Sequence, residues 1–192
     1  PVFIDVDRFT MGMSAESLFE FLDASTEIRE DGFCWNKKTN KIIKACVPMH
    51  CLGHPSEIDK ISQLCLSNNI KLVEDSAESL GSFYKGKHTG SFGHSSILSF
   101  NGNKIITSGG GGMVITNDEK VASQVKHRTT TAKKKHEWMF SHDEVGYNYR
   151  LPNINAALGL AQMESIKINI VSKRNIAKSY QNWGQEHDLH FI

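Results

Sequence analysis

"KIIKACVPMHCLGHPSEIDKISQLCLSNNIKLVED", residues 41–75, carries the pattern that decides the fold. It opens on an apolar run, "KIIKACVP" (41–48), that reads as a buried strand. In "SEIDKISQLCLSNN" (56–69), Ile58, Ile61 and Cys65 recur at helical spacing. Ser56 and Asp59 stand at capping-box positions, although glutamate or glutamine is commoner at the second. "IKLVED" (70–75) is a strand again. The order strand, helix, strand predicts a parallel pair joined by a right-handed crossover.

Working outward, the same alternation continues. Upstream, "VFIDV" (2–6) reads as a strand, and "MSAESLFEFLDA" (13–24) as a helix capped by Ser14, with Leu18, Phe21 and Leu22 on one face. Downstream, "SSILSF" (95–100) and "MVIT" (113–116) are strand-like. Asn117 is placed to cap a helix through about residue 128, with Asp118 and Glu119 in its first turn and Lys126 and Arg128 in its last, as the helix dipole favours. A final helix starts near Asn153 and carries "NAALGLAQMESI". The expected fold is α/β, a mainly parallel sheet flanked by helices, in one domain over residues 1–192.

The bulk numbers exclude several classes. Of 192 residues, 39% are hydrophobic and 22% charged, with a formal net charge of +1, so nothing pulls the chain as a whole toward nucleic acid or a membrane. No apolar run approaches the roughly 20 residues of a membrane span. Cys34, Cys46, Cys51 and Cys65 lack the density of a secreted disulfide scaffold, which points to reduced thiols and a cytoplasmic setting. "CVPMHCLGH" brings Cys46, His50, Cys51 and His54 together at spacing that can bind zinc, but the paired Cys-x-x-Cys knuckle is absent. The basic segment 125–138, with Lys133, Lys134 and Lys135 in a row, reads as a solvated loop or an attraction for a small anion. A nucleic-acid site would interleave stacking aromatics, and only Trp138 is near. Both ends read as cut, which suggests an internal piece of a longer protein.

Candidate chemistry gathers in two places. Ligands of open parallel sheets sit beyond the carboxyl ends of the strands, and Asp75 stands at such an end, where it serves either as a functional acid or as a cap. In "SFNGNKIITSGGGGMVITND" (99–118), Lys104 lies between a strand and four glycines. A Walker loop or a Rossmann fingerprint needs a helix after its glycines, and here a strand follows. "GHSSI" around Ser95 lacks the second glycine of a nucleophile elbow. A lysine that condenses with a carbonyl cofactor remains open, with Asp75 as an acid, Ser99 as a phosphate donor and glycine amides nearby.

The run "VEDSAESLGSFYKGKHTGSFGHSSILSFNGNKIITSGGGGMVITND" (73–118) and "DEVGYNYRLPNINAALGLAQME" (143–164) resemble the DegT/DnrJ/StrS sugar aminotransferases. The likeness reaches back to "PVFIDVD" and "VPMHCLGHP" and so covers nearly the whole chain. It implies the large domain of a fold type I enzyme using pyridoxal 5′-phosphate, without the family's upstream Gly-Thr segment and C-terminal small domain. By resemblance Lys104 is the Schiff-base lysine, Asp75 the partner of the pyridinium nitrogen and Ser99 a phosphate ligand. Glu78 stands where many members place glutamine or histidine near the ring. Asn148 matches an asparagine that reaches the cofactor phosphate of a neighbouring subunit, which implies a homodimer with shared sites. A branch of sugar dehydratases replaces the lysine by histidine; keeping Lys104 favours transamination. The implied reaction moves an amino group, usually from glutamate, to a keto group of a nucleotide-linked deoxysugar for surface polysaccharide. The competing expectation is a non-catalytic α/β module that keeps the scaffold for binding or dimerisation.

Overall fold

The computed structural model describes residues 1–189 and 191. Its centre is a four-stranded sheet in the order β4 (Ala45–Cys46), β5 (Lys71–Asp75), β8 (Ser95–Ser99) and β9 (Gly112–Ile115). The first three strands run parallel, with Cys46 opposite Leu72 and Asp75 opposite Ile97; β9 runs antiparallel, with Ser99 opposite Gly112. The crossover from β4 to β5 is α2 (Ile58–Ser67). Its inward residues Ile58, Ile61 and Cys65 pack with Leu72 of β5 and with Ala15, Leu18 and Leu22 of α1 (Ala15–Ser25) to form the main core. Leu98, Phe100 and Ile106 form a second, smaller core. Ser14 caps α1 as expected, its Oγ accepting from the Ser17 amide at 3.1 Å.

A side sheet escaped the sequence. β1 (Thr26–Ile28), β2 (Cys34–Asn36) and β3 (Lys41–Ile42) form an antiparallel meander. It takes the first half of the strand expected over 41–48, and the chain leaves it at Ile43 and Lys44 before joining the parallel sheet as β4. A hairpin, β6 (Phe83–Tyr84) and β7 (Lys87–His88), turns through Lys85 and Gly86, both at positive φ, the backbone that a two-residue hairpin requires.

Other expectations needed correction. Residues 2–6 form no strand beyond a single bridge from Val6 to Met13. Asp5 Oδ1 accepts from the Val6 amide, and Asp7 Oδ1 accepts from Phe9 and Thr10, so local side-chain bonds draw this backbone out of a ladder. Phe3 is 90% exposed. The Ser56–Asp59 capping box is not built: Ser56 Oγ donates to the Met49 carbonyl, and Asp59 is taken by Tyr84 and Lys85. Asp118 rather than Asn117 caps α3 (Glu119–Thr129), accepting from the Lys120 and Val121 amides. The last helix is two: α4 (Asn153–Glu164) ends at Ser165 and α5 (Ile166–Glu186) continues the chain. No helix among the described residues is long and apolar enough to cross a membrane.

Candidate active site

The candidate residues lie where the parallel strands deliver them. Asp75 closes β5, with its amide donating to the Pro48 carbonyl and its own carbonyl accepting from the His50 amide. Asp75 Oδ1 accepts from Ala77 at 3.1 Å, and Oδ2 has no protein partner among the described residues. Ser99 closes the adjoining strand, β8, and among the described residues its Oγ meets only the Asn101 amide, at a long 3.4 Å.

Beyond Ser99 the chain makes a tight excursion that presents Lys104. The Phe100 amide donates to the Gly111 carbonyl and the Lys104 amide to the Asn101 carbonyl, closing the excursion at both scales. Ile106, two residues past the lysine, is fully buried and anchors the loop. The glycines explain themselves here. Gly111 holds φ near +88° with Leu151 where a side chain would go, and Gly112 lies so close to the Leu98 carbonyl that a Cβ would come within 2.5 Å of its oxygen. They let β9 return against β8 directly behind the lysine's segment.

Lys104 is not a free surface charge. Its Nζ lies 3.1 Å from Glu78 Oε1, and its side chain is only 15% exposed. Glu78 Oε2 accepts from the Leu52 amide at 2.9 Å, so the loop after β4 also grips the carboxylate. The Lys104 ammonium, with that amide, holds the Glu78 carboxyl below the usual range. Lys104 and Glu78 line a cleft of about 600 Å³. Asp75 and Ser99 line neither this cleft nor a larger one of about 1130 Å³ along β8 and β9, where Asn148 sits. Within one chain, then, Lys104 and Glu78 touch, Asp75 and Ser99 share the sheet edge, and Asn148 lies apart.

Sequence reasoning passed over Glu74. Its side chain is fully buried, with Oε1 accepting from the Phe92 and Gly93 amides and Oε2 from Gly90 and from His50 Nε2. His50 Nδ1 accepts from the Ser56 amide, which puts the ring proton on Nε2. Burial pushes the Glu74 carboxyl up, but the four donors outweigh it and leave the group below the ordinary value. This network ties the loops after β4 and β7 to the strand that ends in Asp75. A signal existed: Glu74 shares the inward parity of buried Leu72.

The four zinc candidates go separate ways. Cys46 packs in the core beside Met13, His50 spends both ring nitrogens on protein partners, Cys51 sits in a single turn of 3₁₀ helix, and His54 lines the lysine's cleft. Among the described residues the group with convergent ligand atoms is instead His127, Asp143 and Glu144, already paired as His127–Asp143 at 2.7 Å and Arg128–Glu144 at 2.9 Å.

A half-buried lysine on a carboxyl-edge loop, with an acid and a hydroxyl on neighbouring strand ends, suits a carbonyl cofactor, and comparison with known proteins agrees. The DegT/DnrJ/EryC1/StrS aminotransferase family model matches residues 1–189. The chain belongs to this family. It is 41% identical over 181 residues to GDP-perosamine synthase of Escherichia coli O157:H7, covering 94% of this chain and 45% of that protein. It is 35% identical over 185 residues to GDP-perosamine synthase of Vibrio cholerae, covering 95% and 45%. Among solved structures, Helicobacter pylori PseC, an aminotransferase involved in pseudoaminic acid biosynthesis, superposes with a TM-score of 0.83 at 26% identity, over 96% of this chain and 45% of that one. The chain thus spans about half the length of the relatives it matches, and its fold is that of the fold type I aminotransferases.

Pyridoxal 5′-phosphate is the cofactor of the DegT/DnrJ/EryC1/StrS family, and the donor set here fits it. Lys104 offers the amine for the carbonyl. Asp75 has one carboxylate oxygen without a protein partner among the described residues, which could meet a ring nitrogen. Ser99 keeps a hydroxyl proton for a phosphate oxygen.

Proposed function

We propose that this protein is an aminotransferase that moves an amino group, from glutamate, onto a keto group of a nucleotide-linked deoxysugar destined for surface polysaccharide. Residues 1–192 supply most of its cofactor-binding large domain. The observation that carries the reading is Lys104, held by Glu78 beyond the carboxyl ends of β5 and β8, whose last residues are Asp75 and Ser99. The GDP-sugar chemistry named for its relatives supports the substrate class.

Bound at these residues, pyridoxal phosphate supplies an electron sink for the pair left when a substrate C–H bond breaks. The residues do the rest. The Asp75 carboxylate would hold the proton of the ring nitrogen, and the Ser99 hydroxyl would hold the phosphate. Lys104 Nζ would act as general base and acid, moving a proton from one carbon of the substrate–cofactor pair to another. Glu78 Oε1, 3.1 Å away, holds Nζ at the cleft. Asn148, which lines a different cleft from Lys104 in its own chain, is suited to serve the neighbouring subunit of a homodimer. No feature favours a nucleic-acid or membrane partner, and the reading places the enzyme in the cytoplasm.

The test is amino transfer from glutamate to a nucleotide-linked 4-keto-6-deoxysugar, using the protein expressed from its complete reading frame. Lys104→Ala is expected to lower the rate by on the order of 10³-fold or more, because the group that moves the proton is gone. Full activity in that variant would remove Lys104 from the chemistry and leave the scaffold reading.

A further inference from the structure

Ile170, Lys173, Arg174 and Ala177 recur at i, i+3, i+4 and i+7 on α5, so they share one face of the helix, and all four line the cleft that holds Lys104. We propose that Lys173 and Arg174 form the subsite for the diphosphate of the nucleotide-linked substrate, an inference that rests on the sugar-nucleotide reading above.

Three observations converge on it. The first is place. The loop after β4 brings His54, the loop after β5 brings Glu78 and the loop after β8 brings Lys104 to the same cleft, at the carboxyl edge where open α/β sheets receive ligands. The second is charge. The Glu78 carboxylate is already satisfied by Lys104 and the Leu52 amide, whereas Lys173 and Arg174 make no ion pair among the described residues. The cleft therefore carries two cations with no ion-pair partner among the described residues. The third is size: about 600 Å³ is within the range of small-molecule sites.

The side-chain chemistry selects a phosphate ligand. A guanidinium binds phosphate oxygens through two parallel N–H donors, and a neighbouring ammonium adds a point charge. Two linked phosphates offer two anionic centres to two adjacent cations. The α-carboxylate of an amino donor carries one charge and calls for one partner. On this arrangement the diphosphate anchors at α5 and the attached sugar extends toward Lys104.

The experiment uses the pyridoxal-phosphate-loaded protein from its complete reading frame, so that the cofactor's phosphate site is filled. Inorganic pyrophosphate and, in parallel, glutamate are titrated by calorimetry into the unmodified protein, Lys173→Gln, Arg174→Gln and the double variant. Pyrophosphate is expected to bind about tenfold more weakly to each single variant and on the order of a hundredfold more weakly to the double, with glutamate unchanged. Binding to the unmodified protein is expected to weaken with added NaCl, and Lys173→Arg to stay within a few-fold of it. Unchanged pyrophosphate binding in the double variant, no binding to the unmodified protein, or a loss confined to glutamate each overturns the subsite. Borohydride labelling of Lys104 separates the two levels. A label retained beside unchanged pyrophosphate binding sinks the subsite alone, and no label in the unmodified protein overturns the aminotransferase reading and the subsite with it.

Discussion

Glu74→Gln probes the buried network behind Asp75 with almost no change of volume. The carboxylate accepts four hydrogen bonds: the Phe92 and Gly93 amides at 2.7 and 2.6 Å on Oε1, and Gly90 at 2.7 Å with His50 Nε2 at 3.1 Å on Oε2. A glutamine has one oxygen, so its NH₂ must face one of these donor pairs. Turned toward Oε1's place, it orphans two amides. Turned toward Oε2's, it orphans Gly90 and meets the His50 N–H. His50 cannot relieve the clash by moving its proton, because Nδ1 already accepts from Ser56. Two unsatisfied buried donors cost about 1–3 kcal/mol each, and removing a buried charge returns part of that. The expected net loss is about 3 kcal/mol.

The sign of the pH dependence follows from the carboxyl's lowered folded value. Its contribution is full above the ordinary glutamate value of 4.5 and is lost as pH falls through the lower folded value. The gap between native and variant proteins should therefore shrink in acid. The assay is amide hydrogen exchange over residues 88–95, which reports local opening free energy in the protein from its complete reading frame. Protection of Gly90, Phe92 and Gly93 should drop by on the order of a hundredfold, since each 1.4 kcal/mol is about a factor of ten. A drop below about threefold, or a gap that widens in acid, would refute the reasoning.

Two other outcomes follow from particular contacts. Gly111→Ala should destabilise the protein by about 1–3 kcal/mol in thermal unfolding, because an L-residue is strained at φ +88° and its Cβ would meet Leu151 Cδ1 at 2.6 Å; Gly110→Ala, with open space around it, should cost far less. Asp75→Asn should leave the unfolding midpoint within about 3 °C of the unmodified protein, since an amide oxygen can still accept from Ala77. It should lower amino transfer by about a hundredfold or more, because the proton on the ring nitrogen loses its counter-charge.

Periodicity made the central sheet legible: Ile58, Ile61 and Cys65 announced α2, and the apolar runs around Leu72 and Leu98 announced β5 and β8. It failed where elements are short or local polar bonds intervene. β1, β2 and β3 are two or three residues long, too short to show alternation, and Asp5 and Asp7 divert an apolar run that reads as a strand. Of the candidate site, Asp75, Ser99 and Lys104 were placed by resemblance, and their seats at strand ends and on one loop follow from the sheet register. The Lys104–Glu78 pair, twenty-six residues apart in sequence, depends on two loops meeting over the sheet edge, which no local pattern encodes. Lys173 and Arg174 reach the lysine's cleft only because the fold lays one face of α5 against it, which no local pattern encodes either.

The most direct test of the account is to incubate the protein from its complete reading frame with pyridoxal phosphate, reduce with borohydride and map the modified peptide. The account predicts one pyridoxyl group, on Lys104. A label on any other lysine, or amino transfer that proceeds with none, would contradict it.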